Sequence, residues 1–119
     1  MLTLARQPAM MAASPDRLRG TMQRWTVDAG PLAGTVCDYA FNEDWSVTWR
    51  MVAGPEQGRV GRARGFHMQA VRAQVVLVSF LPVPGETITG TVDFASRRFV
   101  AVRTCGERSD AMSGPLRVL

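Results

Sequence analysis

The sequence predicts a single, mainly β domain: a small antiparallel up-and-down barrel with a short N-terminal helix. Three observations predict it. The chain has 119 residues, the size of one domain and enough for a core without metal or disulfide staples. From residue 34 onward, apolar residues recur with period two, the mark of half-buried strands. Short turns rich in Gly, Pro, Asn and Asp separate these runs, and such turns join neighbours as antiparallel hairpins. No repeat or linker divides the chain, so residues 1–119 read as one domain with its core at about 25–104 and flexible tails on either side.

The elements follow in order. Residues 1–7 read as a loose terminus. Ser14-Pro15-Asp16 is a helix start, with an N-cap, a proline at the first helical position and an acid in the first turn, which predicts two turns over 15–22. Trp25-Thr26-Val27 reads as a short strand and Asp28-Ala29-Gly30-Pro31 as a turn. Residues 34–41 form a strand with Cys37, Tyr39 and Phe41 on one face. Asn42-Glu43-Asp44 is the turn, and 45–52 return with Trp45, Val47, Trp49 and Met51 on one face.

After a loop at 54–58, residues 59–71 read as one strand with Arg62, Arg64, Phe66, Met68 and Ala70 sharing a face. The apolar run 74–81 suits a strand buried on both sides. Residues 86–94 alternate, with Ile88, Val92 and Phe94 opposite the threonines and Asp93. Residues 95–97 turn into a last clear strand, 98–104. Residues 106–119 show no period and read as a tail, with 116–119 as a short edge strand at most. Six or seven strands result, and closing them into a barrel removes exposed edges.

Composition excludes several functions. All 14 basic residues are arginines, which reads first as a coding bias; the net charge is +4. The arginines are scattered and no nucleic-acid motif accompanies them, so nucleic acid is not the expected partner. Cys37 and Cys105 with the single His67 do not make a metal site. Cys37 reads as a small buried hydrophobe, and a bridge between the two cysteines is left open. No stretch is long enough for a membrane span and the first residues do not form a signal segment, so the chain is expected in the cytoplasm. Phosphate loops, nucleotide fingerprints and paired carboxylates are missing, and no cofactor is expected.

Asp38-Tyr39-Ala40-Phe41-Asn42-Glu43-Asp44-Trp45-Ser46-Val47-Thr48-Trp49 carries a resemblance. It resembles the first hairpin of the lipocalin-like (calycin-type) barrels that include the MoaF-like proteins and the bacterial phenolic acid decarboxylases: an aromatic-x-aromatic strand, a polar turn, then two tryptophans four residues apart. The segments Val75-Val76-Leu77-Val78-Ser79-Phe80, Glu86 to Phe94 and Arg97-Arg98-Phe99-Val100-Ala101-Val102 resemble their central hairpin. The resemblance spans roughly 32–104 and implies a barrel around a cavity for a small, often aromatic, ligand. The decarboxylases hold a substrate carboxylate or phenol with two tyrosines, an arginine and a glutamate. Here Tyr39 matches the first tyrosine and Phe41 stands where the second is expected. The glutamate position falls near Ala73, with no acid nearby, so the MoaF-like pattern fits better.

The candidate catalytic residues are therefore Tyr39 and Arg64, and the candidate ligand-binding residues are Phe41, Trp45, Trp49, Arg62, Phe66, Met68 and Phe80. Each has a plainer reading. Phe41 and Trp45 read first as core. The Tyr39 hydroxyl, if buried, wants a partner that a ligand can supply. Arg62 and Arg64 are either buried cations needing an anion or rim residues. Arg50, Asp38 and His67 should face outward, and Asp93 should cap a turn. The expectation is a small-molecule-binding barrel for a hydrophobic or aromatic ligand, or a tailoring enzyme of the cyclase, isomerase or lyase kind in bacterial secondary metabolism. The alternative is a non-catalytic interaction module that forms a homodimer.

Overall fold

The computed structural model describes residues 18–119, and it is almost wholly β. Nine strands follow in chain order: β1 (Thr21–Thr26), β2 (Val36–Phe41), β3 (Val47–Ala53), β4 (Val60–Ala63), β5 (Phe66–Arg72), β6 (Val75–Phe80), β7 (Glu86–Asp93), β8 (Arg98–Cys105) and β9 (Arg108–Val118). They form one sheet in the order β4-β3-β2-β1-β9-β8-β7-β6-β5, antiparallel at every pairing.

Parity explains how the sheet curls. Stepping through eight antiparallel pairings from β4 to β5 returns the same direction. The two strands are also joined by Arg64-Gly65 alone. They are thus two halves of one bent strand, the first bonded to β3 and the second to β6. The ring is nearly closed. Phe66 N–H donates to the Trp45 carbonyl at 3.0 Å, and Trp49 Nε1–H reaches across the seam to the Pro82 carbonyl at 3.0 Å.

The bend corrects the expected single strand over 59–71. Ala63 and Phe66 are both buried although three residues apart, so the corner resets the alternation. Arg62 and Phe66 therefore do not share a face: Arg62 is exposed and Phe66 buried. The N-terminal helix expectation fares differently. Residues 1–17 lie outside the described residues; Leu18 to Gly20 form a turn, and Thr21 and Met22 already belong to β1.

The expected C-terminal tail is instead the eleven-residue β9, which pairs with both β8 and β1 and closes the ring. Its inward residues are Met112, Gly114 and Leu116. Gly114 is required there, because a Cβ would fall on the Thr26 carbonyl oxygen of β1. That glycine hides the alternation from a reading of apolar residues. The two-sided burial expected for β6 also fails: Val76, Val78 and Phe80 are buried, but Leu77 is exposed beside Thr91.

The first hairpin pairs Tyr39 with Trp49 and Phe41 with Val47, all four inward. Its turn is built from Asn42, which bonds Ser46 Oγ and Thr48 Oγ1, and from Trp45, which adopts a φ of 72°. On the outer face Arg24 grips Asp38 with two bonds of 2.8 and 3.0 Å, a bidentate pair across β1 and β2. Arg50 adds a longer contact to the same carboxylate. Asp93 caps the β7–β8 turn through the N–H groups of Ala95 and Ser96.

Inside, the lower half of the barrel is solid. Phe41, Phe66 and Phe80 meet edge to face at centroid distances of 5.4 and 6.0 Å, and Tyr39 touches Phe80 at 5.4 Å. Such pairs add attraction beyond burial alone. Gln23 satisfies the buried indole N–H of Trp25 at 3.0 Å. Among the described residues, no helix is long and apolar enough to cross a membrane.

Candidate functional site: a cup at one end of the barrel

The upper end, where the β3–β4 loop lies, is not filled. Alternation along six strands aims Trp25, Cys37, Tyr39, Trp49, Met51, Ile88, Phe99 and Met112 at a common recess. The recess itself measures only about 30 Å³, room for little more than a water molecule. Above it opens a bowl of about 320 Å³, walled by Leu32, Thr35, Met51, Pro55, Glu56, Glu86, Arg103, Cys105, Arg108 and Asp110. Six residues line both spaces, so they form one cup. Trp25 stacks on Phe99 at 4.4 Å and meets Tyr39 edge-on at 4.8 Å, which makes an aromatic floor.

Charge is confined to the rim. Arg103 of β8 bonds Glu86 of β7 at 2.7 Å. A looser contact of 3.7 Å runs from Arg103 to Glu56 in the β3–β4 loop. Glu56 also pairs with Arg59 at 3.1 Å, and Arg59 lies over the Trp49 ring at 5.6 Å. Arg108 and Asp110 pair at 3.1 Å. The Glu86 hydrogen bond, more than any other contact, strengthens the hold of Arg103 on its proton.

The floor is neutral. Burial pushes the Tyr39 phenol well above its ordinary value, and the Cys37 thiol rises to about 11 for the same reason. The Cys37 thiol lies near the Tyr39 hydroxyl and donates to the Asp38 carbonyl at 3.7 Å. At neutral pH both groups are protonated. The floor can therefore donate hydrogen bonds but holds no group poised to take a proton, while the rim arginines can offset negative charge. Among the described residues, no cluster of three or more His, Cys, Asp and Glu side chains could hold a metal ion.

The sequence-based candidates distribute unevenly. Tyr39 lies at the floor and Trp49 in the wall. Phe41, Phe66 and Phe80 form the packed cluster beneath, and Met68 is half-buried against it. Trp45 is 42% exposed at the lower turn, against Phe66 and under Arg19. Arg62 is exposed and pairs with Asp44 at 2.8 Å, and Arg64 sits exposed at the β4–β5 corner.

Sequence reasoning missed Arg103, Glu86 and Glu56. The signal for the first two was present. Arg103 continues the inward series Phe99, Ala101 along β8, and Glu86 begins the inward series Ile88, Gly90, Val92 along β7. Glu56 comes from a loop, where no period reports orientation.

No family model matches the chain, and no curated protein does. Among solved structures, the barrel is similar to a crystal structure from Burkholderia vietnamiensis described as a putative beta-lactamase. The TM-score is 0.76 and the identity 20%, over 89% of this chain and 97% of that one. At that identity the likeness is one of fold.

Proposed function

We propose that this barrel binds a small, apolar or aromatic molecule in the cup, with Tyr39 and Arg103 as its polar contacts. One observation carries the reading: an aromatic floor and a half-buried arginine face the same open space. A bowl of 320 Å³ is at the small end of ligand sites, which run from roughly 300 to 1,000 Å³. A reaction there would be of the cyclisation, isomerisation or lyase kind, driven by shape and by one or two hydrogen-bond donors. The name carried by the structural neighbour does not transfer. A serine-type site of that kind uses a Ser-x-x-Lys pair, and this chain has no lysine.

The test is a titration of tryptophan emission with single-ring aromatic alcohols, acids, amines and amino acids. Trp25 and Trp49 line the cup and should report occupancy. At least one class should give a saturable response. Tyr39→Phe and Arg103→Lys should each weaken it about tenfold, the second because an ammonium lacks the guanidinium fork. No saturable response from any class would sink the reading, and unchanged affinity in both variants would remove these two residues from it.

A further inference from the structure

We infer that the cup takes a zwitterion, a molecule with an ammonium and a carboxylate beside a compact apolar body. The inference rests on the small-molecule reading above and narrows it to a ligand class.

The rim carries both signs in balance. Arg59, Arg103 and Arg108 are matched by Glu56, Glu86 and Asp110. The pairs are not equally firm. Arg103 and Glu86 meet at 2.7 Å with side chains 21% and 13% exposed, so this pair is fixed and half-desolvated. Glu56 reaches Arg103 only at 3.7 Å, from a loop, and divides its carboxylate with Arg59. The replaceable partner of Arg103 is therefore Glu56.

Consider what each ligand charge would meet. A lone anion on Arg103 would bring a third negative group beside Glu86 and Glu56, and in a partly desolvated site like charges repel strongly. A lone cation seeking Glu56 would arrive between Arg59 and Arg103. A zwitterion avoids both penalties by exchanging partners. Its carboxylate takes the face of Arg103 that Glu56 holds loosely, and its ammonium takes Glu56. Every rim charge stays paired. The Trp49 ring already attracts a cation in Arg59, so the same wall suits an ammonium. The apolar body points down at Trp25 and Tyr39, and the bowl admits a molecule about the size of an aromatic amino acid.

Calorimetric titration of the full chain at neutral pH and low salt tests this with three compounds: phenylalanine, 3-phenylpropanoate without the ammonium, and phenethylamine without the carboxylate. Phenylalanine should bind at least about tenfold more tightly than either. Glu56→Gln should weaken phenylalanine about tenfold and leave 3-phenylpropanoate unchanged or tighter, because a repelling carboxylate has gone. A general loosening of the loop would weaken both, and that result overturns the inference. Equal affinity of the wild-type chain for phenylalanine and 3-phenylpropanoate also overturns it and leaves the small-molecule reading standing. So does binding of an aromatic alcohol alone. Silence from every aromatic class overturns both.

Discussion

Tyr39 and Cys37 put two protonated hydrogen-bonding groups under a charged rim, and burial keeps them that way. The consequence for Cys37 is measurable. Its thiol ionises near pH 11 in the fold against an ordinary 9.0. Above pH 9 the unfolded chain therefore sheds this proton while the folded chain keeps it. The stability contributed by the neutral thiol is complete below pH 9 and is lost as pH rises toward 11. Urea unfolding across that range should show falling stability, with a shallower fall in Cys37→Ser; an unchanged slope in the variant would contradict the assignment. At pH 8 iodoacetamide should label one cysteine of the native chain, the exposed Cys105, and both in urea. At this scale the sequence was partly readable. Tyr39 and Trp49 show themselves by alternation within a strong hairpin. Arg62 and Arg64 did not, because the two-residue corner at Arg64-Gly65 shifts the phase that had joined them to Phe66.

Gly114 and Gly61 stand where strands meet too closely for a side chain. A Cβ at Gly114 would strike the Thr26 carbonyl and crowd the Asp28 N–H, backbone groups of the closing pair that cannot rotate away. A Cβ at Gly61 would fall on the Trp49 ring, which can shift at the expense of its bond to Pro82. Gly114→Ala should thus cost about 3 kcal/mol or more, and Gly61→Ala about 1–2 kcal/mol with a change in tryptophan emission, both read by urea denaturation. The reverse order would mean that β9 does not close the ring as described. The hairpin of β2 with β3 and strand β7 were legible because their faces alternate, and β6 was legible as an apolar run of strand length, although its outward face was not. β9 was not, because a glycine, a proline and an acid interrupt its apolar pattern, and its pairing to β1 joins residues far apart in the chain.

Seen whole, the molecule is a barrel solid in its lower half and open above, with Tyr39 at the boundary, touching Phe41 and Phe80 below and lining the recess above. That division follows from where the large rings fall. Three phenylalanines from β2, β5 and β6 converge at one level, whereas at the upper level β7 and β8 present Glu86 and Arg103, which keep water and charge near the mouth. The barrel class was legible from the sequence. The position of the opening was not, since inward aromatic residues serve a packed core and a cavity wall alike.

The bent strand has a consequence for connectivity. The sheet runs from β5 through β9, on to β1, and out to β4, and the two ends of that ribbon are neighbours in sequence. The last described residues lie beside the first, with Leu119 N–H bonded to the Met22 carbonyl. A circular permutant cut between Arg64 and Gly65, with residue 119 linked to residue 18, would place every strand next to its successor in chain order. It should fold and keep the protection of Tyr39, because only the corner peptide is broken; a molten product by near-ultraviolet circular dichroism would show that the corner, and not the ring of pairings, holds the barrel together.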